Sequence, residues 1–371
     1  MFWLIFTIIV LTLAYYGEER HIIGRNTYIY VRIGLVAVLA FAIAMCGNGA
    51  DREQYMILYD SNFIDNRFFS IKEWLSLASS DVELGFIAIY KICDILGLSS
   101  VGMLLVVSVL TNALVVNTFY RFRNPIMVFF LYILSMYFLQ QTNLVRQTLA
   151  VSIGLYSLRY IESEKWIKYL IGVFLAFIIH KSSIILILFT PFCFHELINE
   201  KILNRVLGVL WGLSILVAFH IISGDYLPLE ILADTRYEKF TTGYDTLGVH
   251  KQVFDITMNA FVLFYFAFGK VIKEKQIYAV FFVLSCVITN ISVAMLFIQR
   301  MTYYFAPIFC AYLPTLLYEN TLVEKGKGGK MDYKILITLT ALWFGRGLLS
   351  KLSGDFEQIG GHIESFGSIF R

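Results

Sequence analysis

Charge is scarce in this sequence. Only 15% of its 371 residues are Asp, Glu, Lys or Arg, where soluble domains carry roughly 25%. A soluble chain of this length would form two domains or so and would lack the polar residues to cover them. That excludes a soluble enzyme, a nucleic-acid binder and a disordered scaffold. The net charge of +3 and pI near 8.4 give no basic excess of the kind a nucleic-acid partner needs. The five cysteines (Cys46, Cys93, Cys193, Cys286 and Cys310) show no C-x-x-C spacing and no neighbouring His cluster. They read as small hydrophobes in or beside apolar runs, silent on redox compartment. No direct or inverted repeat and no low-complexity segment is present. The apolar run that opens the chain lacks a basic n-region and an A-x-A site, so it reads as a membrane span rather than a signal peptide.

What is abundant is apolar: 58% of the residues, with a mean hydropathy of +0.71. A spanning helix takes about 20 apolar residues. Spans are predicted near 2–16, 28–46, 101–120, 125–140, 146–160, 166–180, 182–196, 203–222, 253–269, 276–297, 301–318 and 335–350. The expected fold is therefore all-α, a polytopic integral membrane protein with about 12 transmembrane helices. It forms one membrane domain over 1–350, followed by a tail over 351–371. The stretch 84–98 is short and carries Lys91 and Asp94; it either lies along the membrane surface or re-enters. Loop charge supports this. With the N-terminus outside and 84–98 not crossing, sixteen of the 30 Lys and Arg residues fall in the inner loops, which are the shorter ones, as the positive-inside rule requires. The apolar run 166–194 is interrupted only by His180-Lys181-Ser182-Ser183. As one helix it would exceed 40 Å, too long for a ~30 Å core, so a tight hairpin with His180 at its outer turn is expected.

Both long loops, 47–83 and 223–252, fall outside, so the work is expected at the outer face. Arg146, His180 and Arg300 sit at outer ends of spans, each beside amide or hydroxyl residues. An ionisable group at membrane depth faces a cavity or a partner unless it snorkels to the interface. As a set they suit a basic cleft for a phosphate-bearing lipid head group. Asp51 and Glu83 are the outer carboxylates able to accept a proton from a sugar hydroxyl; Glu83 also suits a helix cap. Asp51-Arg52-Glu53 is an acid-x-acid triplet of the kind that binds a divalent metal. A metal is optional, however, because two arginines can do its electrostatic work, and no cofactor is expected.

Several short motifs occur in a telling order: Gly49-Ala50-Asp51-x-x-x-Tyr55, Glu83-Leu84-Gly85-Phe86, Val145-Arg146-Gln147-Thr148-Leu149-Ala150, His180-Lys181-Ser182-Ser183 and Arg300-x-x-Tyr303-Tyr304-Phe305. Together, over about residues 45 to 310, they resemble the EpsG group, which is similar to Wzy-type polymerases of bacterial O-antigen, capsule and exopolysaccharide. The resemblance implies a GT-C-like glycosyltransferase in the bacterial inner membrane, its site facing the periplasm or cell exterior. Implied substrates are polyprenyl-diphosphate-linked oligosaccharides, with membrane lipid around the chain and a chain-length regulator as a further partner. It implies substrate or diphosphate contacts from Arg146, Gln147, Arg300, Tyr303 and Tyr55, with catalytic roles for Asp51, Glu83 and His180. A glycan ligase using the same donor shares these features. A flippase fits the span number, but the absence of repeats and the long outer loops argue against it. A membrane O-acyltransferase would want its His on the side of a cytosolic donor, and His180 is on the other.

Overall fold

The computed structural model describes residues 2–18, 20–45, 50–60, 82–135, 137–219, 256–268, 275–294 and 298–323. Within them the chain is all-α. The helices are α1 (Phe2–Glu18), α2 (Arg20–Met45), α3 (Ala50–Asp60), α4 (Leu84–Ile95), α5 (Ser100–Phe119), α6 (Pro125–Leu134), α7 (Gln140–Asn143), α8 (Val145–Glu162) and α9 (Trp166–Ile179). A 3₁₀ segment (Lys181–Leu197) follows, then α10 (Glu200–Ala218), α11 (Ile256–Phe268), α12 (Gln276–Ala294), α13 (Gln299–Thr302) and α14 (Ala306–Val323). Four stretches are long and apolar enough to cross a bilayer: Thr27–Met45, Ser100–Phe119, Glu200–Ala218 and Gln276–Val293. With the shorter apolar helices beside them, they make this an integral membrane protein. Most expected spans coincide with a helix; 335–350 and most of the two long outer loops lie outside the described residues.

The described residues group into two compact units, one within Met1–Cys193 and the other within Phe194–Gly328. In the first, α6, α1, α2, α5, α8 and α9 pack successively, with α5 the hub against which α3 and α4 also rest. Buried aromatic rings of Phe119, Phe129, Tyr132 and Phe138 fill its centre. In the second, α12 is the hub for α10, α11, α13 and α14. There Asn259 and Asn290 exchange two 2.9 Å amide bonds, Trp211 Nε1 donates to Asn259 (2.8 Å), and Asn290 donates to Ser214 (3.0 Å). Buried amides joined across helices fasten a bundle where lipid offers them no alternative partner.

Two spans differ from expectation. The one over 125–140 stops at Leu134: Asn124 caps α6 through the Met127 N–H (3.2 Å) and Pro125 opens it, but ten residues rise only about 15 Å. The one over 182–196 is a 3₁₀ helix up to a kink at Phe194. Its first buried residues, Ser183, Leu186 and Phe189, recur every third position, the period of eclipsed 3₁₀ side chains; Cys193 follows four positions on. At about 2.0 Å per residue the stretch reaches further than an α-helix of equal length. The chain reverses at His180, and the Tyr169 hydroxyl donates to the Leu186 carbonyl at 2.7 Å, pairing the two arms. Cys93, Cys193, Cys286 and Cys310 are buried.

Candidate functional site

Four of the motifs found in sequence meet at one end of the first unit. At the other end, Arg121 and Glu162 form a 2.8 Å ion pair on the side that the basic loops assign to the inside. Counting helical rise from there, Arg146 lies about 24 Å above Glu162 along α8, and His180 about 21 Å above Trp166 along α9. In a ~30 Å core both stand near the boundary opposite that ion pair.

Glu83 is at the centre. It precedes α4 in the N-cap position, with an extended backbone, yet its side chain makes no cap bond. The capping role open to it from sequence is not taken. Its carboxylate turns to other helices: Oε2 accepts from Arg146 Nη1 at 2.5 Å, and Oε1 lies 3.1 Å from His180 Nδ1 and 3.3 Å from the Lys181 backbone N–H. Arg146 also donates through Nε to the Tyr55 hydroxyl (3.2 Å), so the plane of its guanidinium is set by two partners. The Glu83 side chain is 5% exposed and that of Arg146 16%. Burial pushes the Glu83 carboxyl up. The His180 hydrogen bond, the Arg146 and His180 charges and the Lys181 N–H outweigh it and hold it at about 2.

Local sequence explains the convergence. A Cβ on Gly85 would stand 2.8 Å from the Ile178 carbonyl oxygen. Only glycine lets the start of α4 lie against the last turn of α9, which carries the chain into His180. Phe86 is fully buried against Tyr55 and Tyr90 (ring centroids 5.8 and 4.9 Å). The Tyr90 hydroxyl donates to the Tyr55 carbonyl at 3.2 Å. At the far end of α4, Gly97 takes a positive φ of 67° and the Leu98 N–H bonds back to Cys93 (3.0 Å), a glycine helix stop that turns the chain into α5.

Among the residues singled out in sequence, the structure thus joins Tyr55, Glu83, Arg146 and His180. Gln147 is buried beside Arg146 on α8. Asp51 lies in the first turn of α3 and Glu53 is exposed two positions on. Among the described residues no three His, Cys, Asp or Glu side chains gather as a metal site. Arg300, exposed, lies in α13 and Tyr303 directly after it, both in the second unit. Sequence reasoning missed Arg52, which donates to the Ile43 and Ala44 carbonyls (3.2 and 2.6 Å) and so anchors α3 to the end of α2. Its place beside Asp51 was a signal. It also missed the Lys181 N–H, because a backbone donor has no signature of its own.

Fold and site together define a polytopic membrane protein with a buried arginine–glutamate–histidine cluster at one end of its helices. Residues 27–355 match the EpsG family. The chain belongs to that family, which is linked to exopolysaccharide biosynthesis. It has no match among the curated proteins or the solved structures.

Proposed function

We propose that the chain is a GT-C-like glycosyltransferase that polymerises polyprenyl-diphosphate-linked oligosaccharide repeat units at the outer leaflet of a bacterial inner membrane, making O-antigen, capsule or exopolysaccharide. The observation that carries this is the joining of Tyr55, Glu83, Arg146 and His180 in a membrane chain of the EpsG family. In the reaction an acceptor hydroxyl oxygen bonds to the anomeric carbon of the donor glycan. The bond from that carbon to the diphosphate oxygen breaks, the hydroxyl proton goes to a base, and the lipid diphosphate leaves.

Arg146 offsets the charge growing on the diphosphate, as a preorganised cation does in a site poor in water, and Gln147 and Tyr55 support it. Arg300 and Tyr303 are further candidate contacts for the lipid-linked substrates. His180 orients the donor or the acceptor. Asp51 or Glu83 is the base. At about 2 the resting Glu83 carboxyl is a weak base. A diphosphate that draws Arg146 away removes one of the charges holding it down and raises its basicity when the donor is in place.

The test is reconstitution with the lipid-linked repeat unit and analysis of glycan length. A regular ladder that vanishes in Arg146→Ala and in Arg300→Ala supports the reading. A single transfer means a ligase, and a unit that only changes leaflet means a flippase. Arg300→Lys sharpens the assignment, since it keeps the charge and loses the bidentate fork: a diphosphate clamp loses most of its activity, and wild-type polymer from this variant removes Arg300 from the site.

A further inference from the structure

α6 rises about half-way through the membrane core before it ends, and the chain then turns through 137–144 before α8 begins. Irregular backbone at membrane depth persists only where protein buries it or where it lines a cavity. Here side-chain amides secure it. Gln141, on α7, and Asn112, on α5, face each other fully buried. Asn112 Nδ2 donates to Gln141 Oε1 (3.0 Å), and Gln141 Nε2 donates back to Asn112 Oδ1 (3.2 Å) and to the Tyr132 hydroxyl of α6 (3.0 Å). The second Asn112 N–H goes to the Ser108 carbonyl at 2.8 Å. All four amide N–H groups and both amide oxygens are thereby satisfied, and turning either amide over would set oxygen against oxygen.

The pair is rigidly continuous with Arg146. The Leu144 N–H bonds to the Gln140 carbonyl (2.8 Å), and the Thr148 N–H bonds to the Leu144 carbonyl (2.7 Å). α7 is thus tied to the first turn of α8, and Arg146 lies five positions after Gln141. We infer that the Gln141–Asn112 pair, braced by Tyr132, is the positioning device for Arg146: it sets the depth and rotation of the first turn of α8, so that the guanidinium stands where Glu83 and the donor diphosphate need it. Gln141 and Asn112 are positioning residues, and their catalytic consequence rests on the function proposed above.

Gln141→Glu keeps the shape and replaces both donors with an oxygen facing Asn112 Oδ1. In the reconstituted assay it is expected to lower kcat about 10- to 100-fold, as roughly 1 Å of misplacement does, with KM for the lipid-linked donor little changed. The exchange Gln141→Asn with Asn112→Gln, which preserves the combined length, should restore most of the rate. Tyr132→Phe, which removes only a hydroxyl, takes the place of Gln141→Glu if that variant does not fold. Full activity in the single variant overturns the inference, as does failure of the paired exchange to recover any of the rate. If the wild-type protein extends no glycan, the proposed function fails, and amide hydrogen exchange decides the positioning claim separately. Faster exchange at 144–148 in Gln141→Glu, with 169–179 unchanged, upholds it; unchanged exchange at 144–148 overturns it.

Discussion

Glu83 carries more structural consequence than any other single side chain at the site, because its two oxygens hold groups from two helices, Arg146 of α8 and His180 at the end of α9. Removing one partner of a buried ion pair costs about 3–5 kcal/mol. The 16% exposure of Arg146 reduces that to about 2–3 kcal/mol for Glu83→Gln, readable as a lower melting temperature in detergent. The pH dependence follows in sign. The folded carboxyl is held at about 2 against an ordinary value of 4.5, so its contribution is complete above about pH 4.5 and fades as pH falls toward 2. The gap in melting temperature between wild type and Glu83→Gln should narrow as pH falls below 4.5; a gap unchanged from pH 5 down to 3 would show that the Glu83 carboxylate does not control it. Sequence marked Arg146 and His180 as costly polar residues near span ends, and Glu83 separately as a loop carboxylate before the 84–98 segment. It could not pair them, as they are 63 and 97 positions apart and only helix packing sets the distances.

Elements place these residues through close backbone contact. Gly85 and the Ile178 carbonyl show how: the 2.8 Å approach leaves no room for a methyl group. Gly85→Ala is expected to force α4 from α9 and to cost about 1–3 kcal/mol as overpacking does, with loss of the Glu83–His180 contact. Hydrogen exchange at the Lys181 amide, now bonded to Glu83 (3.3 Å), would rise; an unchanged Lys181 amide would mean that α4 adjusts without moving Glu83. The hairpin at His180 was legible from the length of the apolar run and the polar interruption. The 3₁₀ winding of its second arm was not, because apolar composition does not distinguish a period of three from 3.6 until one face has a neighbour. The early end of α6 was hidden in the same way. Gln140 and Gln141 look like the start of an outer loop in a linear hydropathy reading, and only the buried partners Asn112 and Tyr132 make their depth tolerable.

For the whole molecule, the charge pattern and the helices together predict an orientation that labelling can test. In a background lacking Cys46, Leu96→Cys, in the exposed turn after α4, should react with a membrane-impermeant thiol reagent from outside. Glu164→Cys, in the turn between α8 and α9, should react only from inside. Reversed labelling would invert the topology and put the Glu83 cluster on the cytoplasmic side, against the proposed use of an outer-leaflet donor. The sequence by itself determined that this is an all-α membrane protein, where most of its apolar helices run and to which family it is similar. Those properties depend on composition, local periodicity and the cost of placing charge in hydrocarbon, all of which are additive along the chain. Only the tertiary structure decided that Tyr55, Glu83, Arg146 and His180 are one cluster, that Glu83 binds across helices instead of capping its own, and that α6 stops half-way. Those outcomes depend on which helix faces pack together. A few close approaches, Gly85 on Ile178 and Gln141 on Asn112, select among packings that the hydrophobic pattern alone leaves equal.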